Sequence, residues 1–136
     1  MALVRIDGIS FTYAGAKKSA LINASLEINE GEYVLLTGAS GCGKTTLIRQ
    51  IKPELTPAGA REGSITYDGV AIASLNTRRA AAEIGFVQQN PDNQIVTDYV
   101  WHELAFGLEC MGLSVGVIRR RVAEMAAFFG MESWFR

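Results

Sequence analysis

The sequence predicts an α/β fold in a single domain, and three observations support that prediction. Short alternating runs at residues 3–6 and 21–28 are typical of half-buried antiparallel strands. A continuous apolar run at residues 33–37 is typical of a central parallel strand, and a glycine-rich loop follows it. After Pro91 the apolar residues recur at helical spacing. A length of 136 residues suits one domain with its own core.

Composition excludes several classes of protein. Apolar residues make up 49% of the chain and charged residues 20%, which excludes a disordered or collagen-like chain. Thirteen Lys and Arg against fourteen Asp and Glu give a net charge of −1, so no broad positive field favours nucleic acid. Two cysteines are too few for a disulfide framework and suit a reducing compartment. No apolar run approaches the roughly 20 residues of a membrane span, and no secretory signal is evident, so we expect a soluble intracellular protein.

The middle of the chain predicts a loop and then a hairpin. Residues 53–63 contain two prolines and two glycines and are expected to form a loop. Residues 64–67 and 70–72 are mostly apolar or β-branched and flank Asp68 and Gly69. Because an Asp-Gly pair is a strong signal for a two-residue turn, these two runs are expected to pair as antiparallel strands.

The last sixty residues predict one more strand and three helices. Asn76 is expected to cap a short helix that ends at Ala82, and residues 84–87 are expected to form a strand. A helix with Val100, Leu104 and Leu108 on one face should follow Pro91. A second helix, capped by Ser114 and stopped by Gly130, should carry Ile118, Val122, Met125, Ala126 and Phe129.

The glycine-rich segment matches a phosphate-binding loop. Residues 38–45 read Gly-Ala-Ser-Gly-Cys-Gly-Lys-Thr, between the apolar run and a predicted helix over residues 44–51. Glycines allow backbone N–H groups to surround phosphate oxygens, and the helix N-terminus adds a positive partial charge. In this motif Lys44 reaches the β and γ phosphates and the Thr45 hydroxyl ligates Mg²⁺. The segment therefore predicts a site for a nucleoside triphosphate.

Three neighbouring segments make the chain resemble the N-terminal half of an ABC transporter ATPase. They are Ile-Ser-Phe-Thr-Tyr at residues 9–13, Gly31-Glu32, and Ile-Gly-Phe-Val-Gln-Gln-Asn-Pro at residues 84–91. The resemblance implies a P-loop NTPase core of the RecA-like kind, with ATP and Mg²⁺ as cofactors. It also implies that Tyr13 stacks on adenine and that Gln89 contacts Mg²⁺ and the attacking water.

Two further segments are similar to the ATP-binding subunits of energy-coupling factor importers, which serve vitamins and transition-metal ions. These are Asp-Asn-Gln at residues 92–94 and Glu-Leu-Ala-Phe-Gly at residues 103–107. The resemblance implies a motor subunit on the cytoplasmic face of a membrane. Its partners would be a second ATPase subunit, packed head-to-tail, and a transmembrane coupling subunit that contacts segment 94–107. No nucleic-acid partner is implied.

The resemblance also divides the chain and assigns its site residues. Within residues 1–136 the expected parts are an antiparallel β-subdomain (1–32 and 61–75), a P-loop core (33–52 and 84–89) and the start of a helical subdomain (90–136). Lys44 and Gln89 are the expected catalytic residues, and Thr45 and Gln89 are the expected Mg²⁺ contacts. The expected nucleotide-binding residues are Tyr13, Gly38, Ser40, Gly41, Cys42, Gly43, Lys44, Thr45 and Thr46.

Three elements that the family uses for hydrolysis have no counterpart in the sequence. They are an LSGGQ signature, a Walker B strand ending in Asp-Glu, and a switch histidine. The nearest look-alikes, residues 113–116 and 65–68, are better explained as a helix cap and as the start of the hairpin turn, and His102 precedes the region of the switch histidine. We therefore expect a fragment of a longer ATPase that stops just before the signature and does not hydrolyse ATP alone.

The same residues are also compatible with other functions. One is a P-loop kinase of small molecules, although the 37 residues before the phosphate loop disfavour it. Another is an ABC ATPase of DNA repair or translation, and a third is a fragment that only binds nucleotide or has no activity. Segment 94–107 distinguishes a transporter from these other functions, because in a transporter its apolar side chains would receive a helix of the membrane partner. The side chains expected to line that groove are Ile95, Val96, Tyr99 and Phe106.

Overall fold

The computed structural model describes residues 2–134, and these form two compact units. The first unit extends to Ile84 and the second begins at Gly85. The first unit is built on a β-sheet and the second on a pair of helices. Together the two units contain the combination of strands and helices that the sequence predicts.

One antiparallel sheet of four strands organises the first unit. The strands are β1 (Ala2–Tyr13), β2 (Leu21–Asn29), β3 (Gly59–Tyr67) and β4 (Val70–Ala71), in the order β2-β1-β3-β4. The long β1 pairs with β2 on one side and β3 on the other, which confirms the antiparallel character predicted for the first thirty residues. The Asp68-Gly69 turn is also confirmed, and both of its residues have positive φ, at 48° and 73°.

A bulge between β1 and β2 explains one deviation from the predicted alternation. Ile9 pairs with Ala24 and Phe11 pairs with Leu21, so β2 has one residue more than β1 between the two pairs. Asn23 lies in this bulge and accommodates it with a positive φ of 48°. The side-chain alternation shifts at that point, so Leu21 is buried whereas Ile22 is 75% exposed.

Two helices complete the first unit: α1 (Lys44–Ile51) and α2 (Thr77–Glu83). Short 3₁₀ turns at Pro53–Leu55 and Ile72–Ser74 link the remaining segments. Leu47 on α1 joins the apolar face of the sheet. The buried cluster consists of Val4, Ile6, Ile9, Phe11, Leu21, Leu47, Ile65, Tyr67, Ile72, Leu75 and Ala80.

Side chains cap both ends of α2. The Asn76 side-chain oxygen accepts hydrogen bonds from the backbone N–H groups of Arg78 and Arg79, at 2.9 and 3.3 Å, which confirms the predicted cap. At the other end, Lys52 Nζ donates to the carbonyl oxygens of Ala80 (3.1 Å) and Ile84 (2.6 Å). Lys52 directly follows α1, so these bonds fix the end of α2 beside the end of the phosphate-loop helix.

The second unit is a helical hairpin with a small core. Its helices are α3 (Val100–Cys110) and α4 (Val115–Phe129), and 3₁₀ turns lie at Pro91–Gln94 and Glu132–Trp134. The helical period and the stop at Gly130, whose φ is 64°, are confirmed. Among residues 2–134 no helix is both long and apolar enough to cross a membrane. The core residues are Ala105, Ile118 and Val122, against which Trp101, Leu104, Leu108 and Leu113 are packed.

The apolar residues of α4 are only partly buried, and one detail predicted for its cap is wrong. Met125 and Phe129 are exposed, because the face of α4 that packs within this unit is narrow and carries Ile118, Val122 and Ala126. Ser114 does occupy the N-cap position, but its side chain makes no capping hydrogen bond.

Three other predictions about local structure are wrong. Residues 33–37 and 84–87 are not strands, because the four-stranded sheet that the structure describes places no neighbour beside them to accept and donate backbone hydrogen bonds. The predicted loop 53–63 is shorter than expected, since β3 already begins at Gly59. Pairing of Ala60 and Arg61 with the end of β1 extends that strand into the loop.

Candidate nucleotide-binding site

The phosphate loop is arranged around the ammonium group of Lys44. Lys44 Nζ donates to the carbonyl oxygens of Gly38 at 2.7 Å and Ala39 at 2.8 Å, and it lies 3.6 Å from Cys42 Sγ. The ammonium group therefore sits over the loop that precedes its own helix. A cation held by neutral carbonyls in this way can exchange them for the charged oxygens of a phosphate, which form stronger hydrogen bonds.

Gly43 is required at the junction of the loop and α1. Its backbone is left-handed, with φ 101°, and it stands at the N-cap position of the helix. A Cβ at this position would lie 2.7 Å from the carbonyl oxygen of Ala20 and 2.9 Å from Leu21 Cδ2. Both the left-handed backbone angle and the close approach of Ala20 and Leu21 therefore require glycine at this position.

The start of α1 has the donors that a phosphate requires. No side chain caps the helix N-terminus, and no acidic residue occupies its first turn. The free N–H groups and the helix dipole favour an anion there, so the loop and Lys44 fit the phosphates of ATP. The Thr45 hydroxyl is exposed in this first turn. It fits Mg²⁺, which in such sites takes one or two protein oxygens together with phosphate oxygens and water.

Tyr13 at the end of β1 lies against the same helix. Its hydroxyl is 2.8 Å from the Thr46 hydroxyl, and its ring packs edge-on against Phe11 with ring centroids 5.0 Å apart. Thr46 is buried and Tyr13 is 37% exposed. The first unit thus brings the predicted adenine-binding aromatic residue next to the predicted phosphate-binding helix.

Gln89 belongs to the second unit and is exposed. It lies in a loop that the side chain of Gln94 closes. Gln94 Oε1 accepts from the backbone N–H of Gln88 at 2.6 Å, and Gln94 Nε2 donates to the carbonyl oxygen of Phe86 at 3.0 Å. The backbone next to Gln89 is therefore fixed, whereas the Gln89 side chain makes no hydrogen bond within the described part of the chain.

Glu103 on α3 anchors the end of the same loop. Its Oε2 accepts hydrogen bonds from the backbone N–H of Val96 (3.1 Å) and from the N–H and hydroxyl of Thr97 (both 3.0 Å). Partial desolvation acts to raise the pKa of Glu103, but these hydrogen bonds to the carboxylate outweigh it, so the pKa is lowered. A carboxylate that is already engaged and weakly basic is suited to anchoring a loop rather than to activating water.

The sequence predicted some of these site residues and missed others. The phosphate-loop residues, Tyr13 and Thr46 lie together in the first unit, and Gln89 lies in the second. The loop contacts of Gln94 and Glu103 were missed, because they join side chains to backbone groups six to eight residues away and no local sequence pattern signals them. The four apolar side chains of segment 94–107 are exposed as predicted, namely Ile95, Val96, Tyr99 and Phe106.

Comparison with known proteins gives consistent relatives. The family model of the ABC transporter matches residues 21–134. A protein of Bacillus cereus, named as an ABC transporter ATP-binding protein, is 44% identical over 132 residues, which cover 97% of this chain and 24% of that protein. An energy-coupling factor transporter ATP-binding protein of Ligilactobacillus salivarius is 39% identical (97% of this chain and 46% of the relative). A cobalt import ATP-binding protein of Syntrophus aciditrophicus is 35% identical (98% and 47%).

These relatives confirm the predicted resemblance and the predicted α/β P-loop fold. This chain spans about a quarter to a half of the length of these relatives. The family match covers most of the chain and includes the whole phosphate loop. The chain therefore belongs to the ABC transporter family.

Proposed function

We propose that this chain is the ATP-binding portion of an importer motor subunit that couples ATP hydrolysis to membrane uptake of a micronutrient, either a metal ion or a vitamin. The observation that carries the proposal is the phosphate loop, in which Lys44 is held by carbonyls above an uncapped helix N-terminus. Tyr13 lies beside this loop, where its ring can stack on a purine.

Each site residue has a defined role in this proposal. Lys44 leaves the carbonyls of Gly38 and Ala39 to bind the β and γ phosphates, and the N–H groups at the start of α1 donate to the same phosphates. The Thr45 hydroxyl would contribute a ligand to Mg²⁺, which would neutralise charge on the phosphate oxygens, and the family resemblance assigns Gln89 a contact to the same ion. Gln89 also orients the attacking water. Hydrolysis is assigned to the complete ATPase rather than to this chain alone.

The importer class and its cargo are inferred from relatives. One similar protein is named for cobalt import and another for an energy-coupling factor transporter. The sequence also shares segments 92–94 and 103–107 with the energy-coupling factor group. Other relatives carry only a general transporter name, so a metal ion and a vitamin both stay within the proposal.

The partners follow from the same assignment. A second ATPase subunit would pack head-to-tail and complete the site at the γ phosphate. A transmembrane coupling subunit would dock on segment 94–107, where the apolar side chains identified above are exposed, on the cytoplasmic face of the membrane. With a net charge of −1, nucleic acid is not proposed as a partner.

Substitution of Lys44 tests the nucleotide site. In calorimetric titrations with Mg-ATP, we expect Lys44→Ala to weaken binding at least about tenfold, or about 1.4 kcal/mol, because the phosphates lose their charged donor. Arg121→Ala removes the same charge from an exposed position on α4 and should bind like the parent chain. Equal affinities for all three proteins would contradict the phosphate-loop assignment.

A charge on segment 94–107 tests the membrane partner. In the complete ATPase with its membrane subunits, Val96→Asp should reduce transport while ATP binding by the isolated subunit stays intact, because a carboxylate in an apolar contact is desolvated without a partner. Val115→Asp is the matched control, since Val115 is 64% exposed and Val96 is 61% exposed. Loss of ATP binding together with transport would instead indicate that Val96 has a role in the core.

A further inference from the structure

The side-chain amide of Gln94 imitates a neighbouring strand along residues 86–88. In an extended chain, the carbonyl of one residue and the N–H of the second residue after it point to the same side. Gln94 meets both groups: it donates to Phe86 and accepts from Gln88, at 3.0 and 2.6 Å. Residues 86–88 have no strand partner within the described chain, so this amide supplies hydrogen bonds that a sheet would otherwise provide.

The contact closes a loop around Gln89. The 3₁₀ turn Pro91–Gln94 follows Asn90 and returns the chain, with Asn93 N–H donating to the Asn90 carbonyl at 3.3 Å. Gln94 is half-buried at the base of the loop, while Gln89, which directly follows the bonded residue Gln88, is exposed. The backbone entering Gln89 is therefore held in place, and the side chain of Gln89 is left free.

We propose that Gln94 is a positioning residue for Gln89, and that it acts through the backbone of residues 86–88. This inference rests on the role proposed above for Gln89. The chemistry requires glutamine, because the side chain must donate at one end and accept at the other. Glutamate at the same length keeps the acceptor but places a carboxylate oxygen against the carbonyl of Phe86. Leucine keeps the approximate volume and removes both hydrogen bonds.

Steady-state hydrolysis by the complete ATPase tests the proposal. A misplacement of about 1 Å caused by a mutation away from the reacting atoms can cost on the order of 100-fold in rate. Because Gln94→Leu removes both hydrogen bonds to residues 86–88, we expect it to lower kcat about tenfold. KM for ATP should stay within about twofold, because the phosphate loop and Tyr13 are unchanged. Asn93→Asp, on the exposed neighbour of Gln94, is the control and should leave both constants unchanged.

A double-mutant cycle separates positioning from general structure. In a Gln89→Ala background, Gln94→Leu should cause no further loss of kcat, because a residue that acts through Gln89 has nothing left to position. An equal loss in both backgrounds, or a rise in KM that matches the fall in kcat, would overturn the proposal. If Gln89→Ala itself leaves kcat unchanged, the role of Gln89 has failed. If only Gln94→Leu leaves kcat unchanged, this inference alone has failed.

Gln94→Glu provides a second kinetic readout, and hydrogen exchange provides a structural readout for the leucine variant. The ratio of the kcat of Gln94→Glu to that of the parent should rise as pH falls from about 7 to about 5, because a glutamate, whose ordinary pKa is about 4.3, becomes increasingly protonated over this range and protonation restores a donor toward the Phe86 carbonyl. Hydrogen exchange at the Gln88 amide, measured in the same proteins, should be faster in Gln94→Leu than in Asn93→Asp. If the ratio of kcat values does not change with pH and exchange at the Gln88 amide is unchanged, the proposal is overturned.

Discussion

The two loops that carry the proposed site residues are held in different ways. The phosphate loop over residues 38–45 is set by main-chain geometry, with glycines at positive φ and Lys44 bound to backbone carbonyls. The loop over residues 86–97 is held by two side chains, Gln94 and Glu103, which bond to backbone groups. The first loop is therefore sensitive to added atoms, and the second is sensitive to the chemistry of its anchors.

The two units also differ in how much core supports each loop. The phosphate loop leads into α1, whose Leu47 belongs to the large sheet-based cluster of the first unit. The second loop leads into α3, whose Ala105 packs in a core with Ile118 and Val122. A larger buried cluster opens less readily, so local opening should be more frequent around the second loop.

The largest expected effect comes from adding a methyl group to the phosphate loop. Gly43→Ala places a Cβ 2.7 Å from the Ala20 carbonyl at a φ that alanine rarely adopts. Backbone strain of this kind costs of the order of 1–3 kcal/mol, so we expect a comparable fall in the free energy of unfolding, measured with denaturant, and loss of Mg-ATP binding.

The same substitution in the second unit should have the opposite sign. Gly107 lies inside α3 and is exposed, and no atom lies within 4 Å of an added Cβ. Gly107→Ala should therefore stabilise the chain by about 0.5–1 kcal/mol, because alanine loses less backbone entropy in a helix. If both variants were destabilised equally, the steric and backbone explanation for glycine at position 43 would be wrong.

Tyr13 should show an effect that is confined to nucleotide binding and leaves the free energy of unfolding largely unchanged. Tyr13→Ala removes a ring whose stacking on a base is worth about 1–3 kcal/mol, so ATP should bind about tenfold more weakly in calorimetry. Tyr13→Phe keeps the ring but loses the bond to the Thr46 hydroxyl, so it should lose less affinity than Tyr13→Ala. Tyr99→Ala is the control in the second unit. A phenylalanine variant as weak as the alanine variant would mean that the hydroxyl matters and the ring does not.

Local sequence signals predicted the elements that are stabilised locally. The Asp68-Gly69 turn, the Asn76 cap and the Gly130 stop each depend on a few adjacent residues, and the structure has all three. Residues 33–37 failed as a strand because an apolar run becomes a strand only when a neighbour pairs with it. The burial of Leu21 in place of Ile22 depends on a bulge whose position no local pattern specifies.

The same limit of local sequence patterns applies to the candidate site. The spacing of residues 38–45 was sufficient to predict the loop and its helix, because the motif is continuous in sequence. The bond between Tyr13 and Thr46 joins residues 33 positions apart, and the bonds of Gln94 depend on a turn that returns the chain. Contacts of this kind follow from the folded path of the backbone, which the sequence pattern alone did not predict.

The smallest expected effect is a pH response at Glu103, and it follows from the lowered pKa. A carboxyl whose folded pKa lies below its unfolded value of about 4.3 stabilises the fold above that pH and loses its contribution as pH falls through the folded pKa. Amide exchange at Val96 and Thr97, corrected for intrinsic rates, should therefore accelerate on acidification through this range. Glu103→Gln should remove that dependence, because a neutral amide oxygen still accepts from both N–H groups at every pH. Glu109→Gln, on the same helix, should leave exchange unchanged. If Glu103 titrates no lower than a carboxyl in an unfolded peptide, its bonds to the loop are too weak to anchor it, and the second loop would not be held by its side chains.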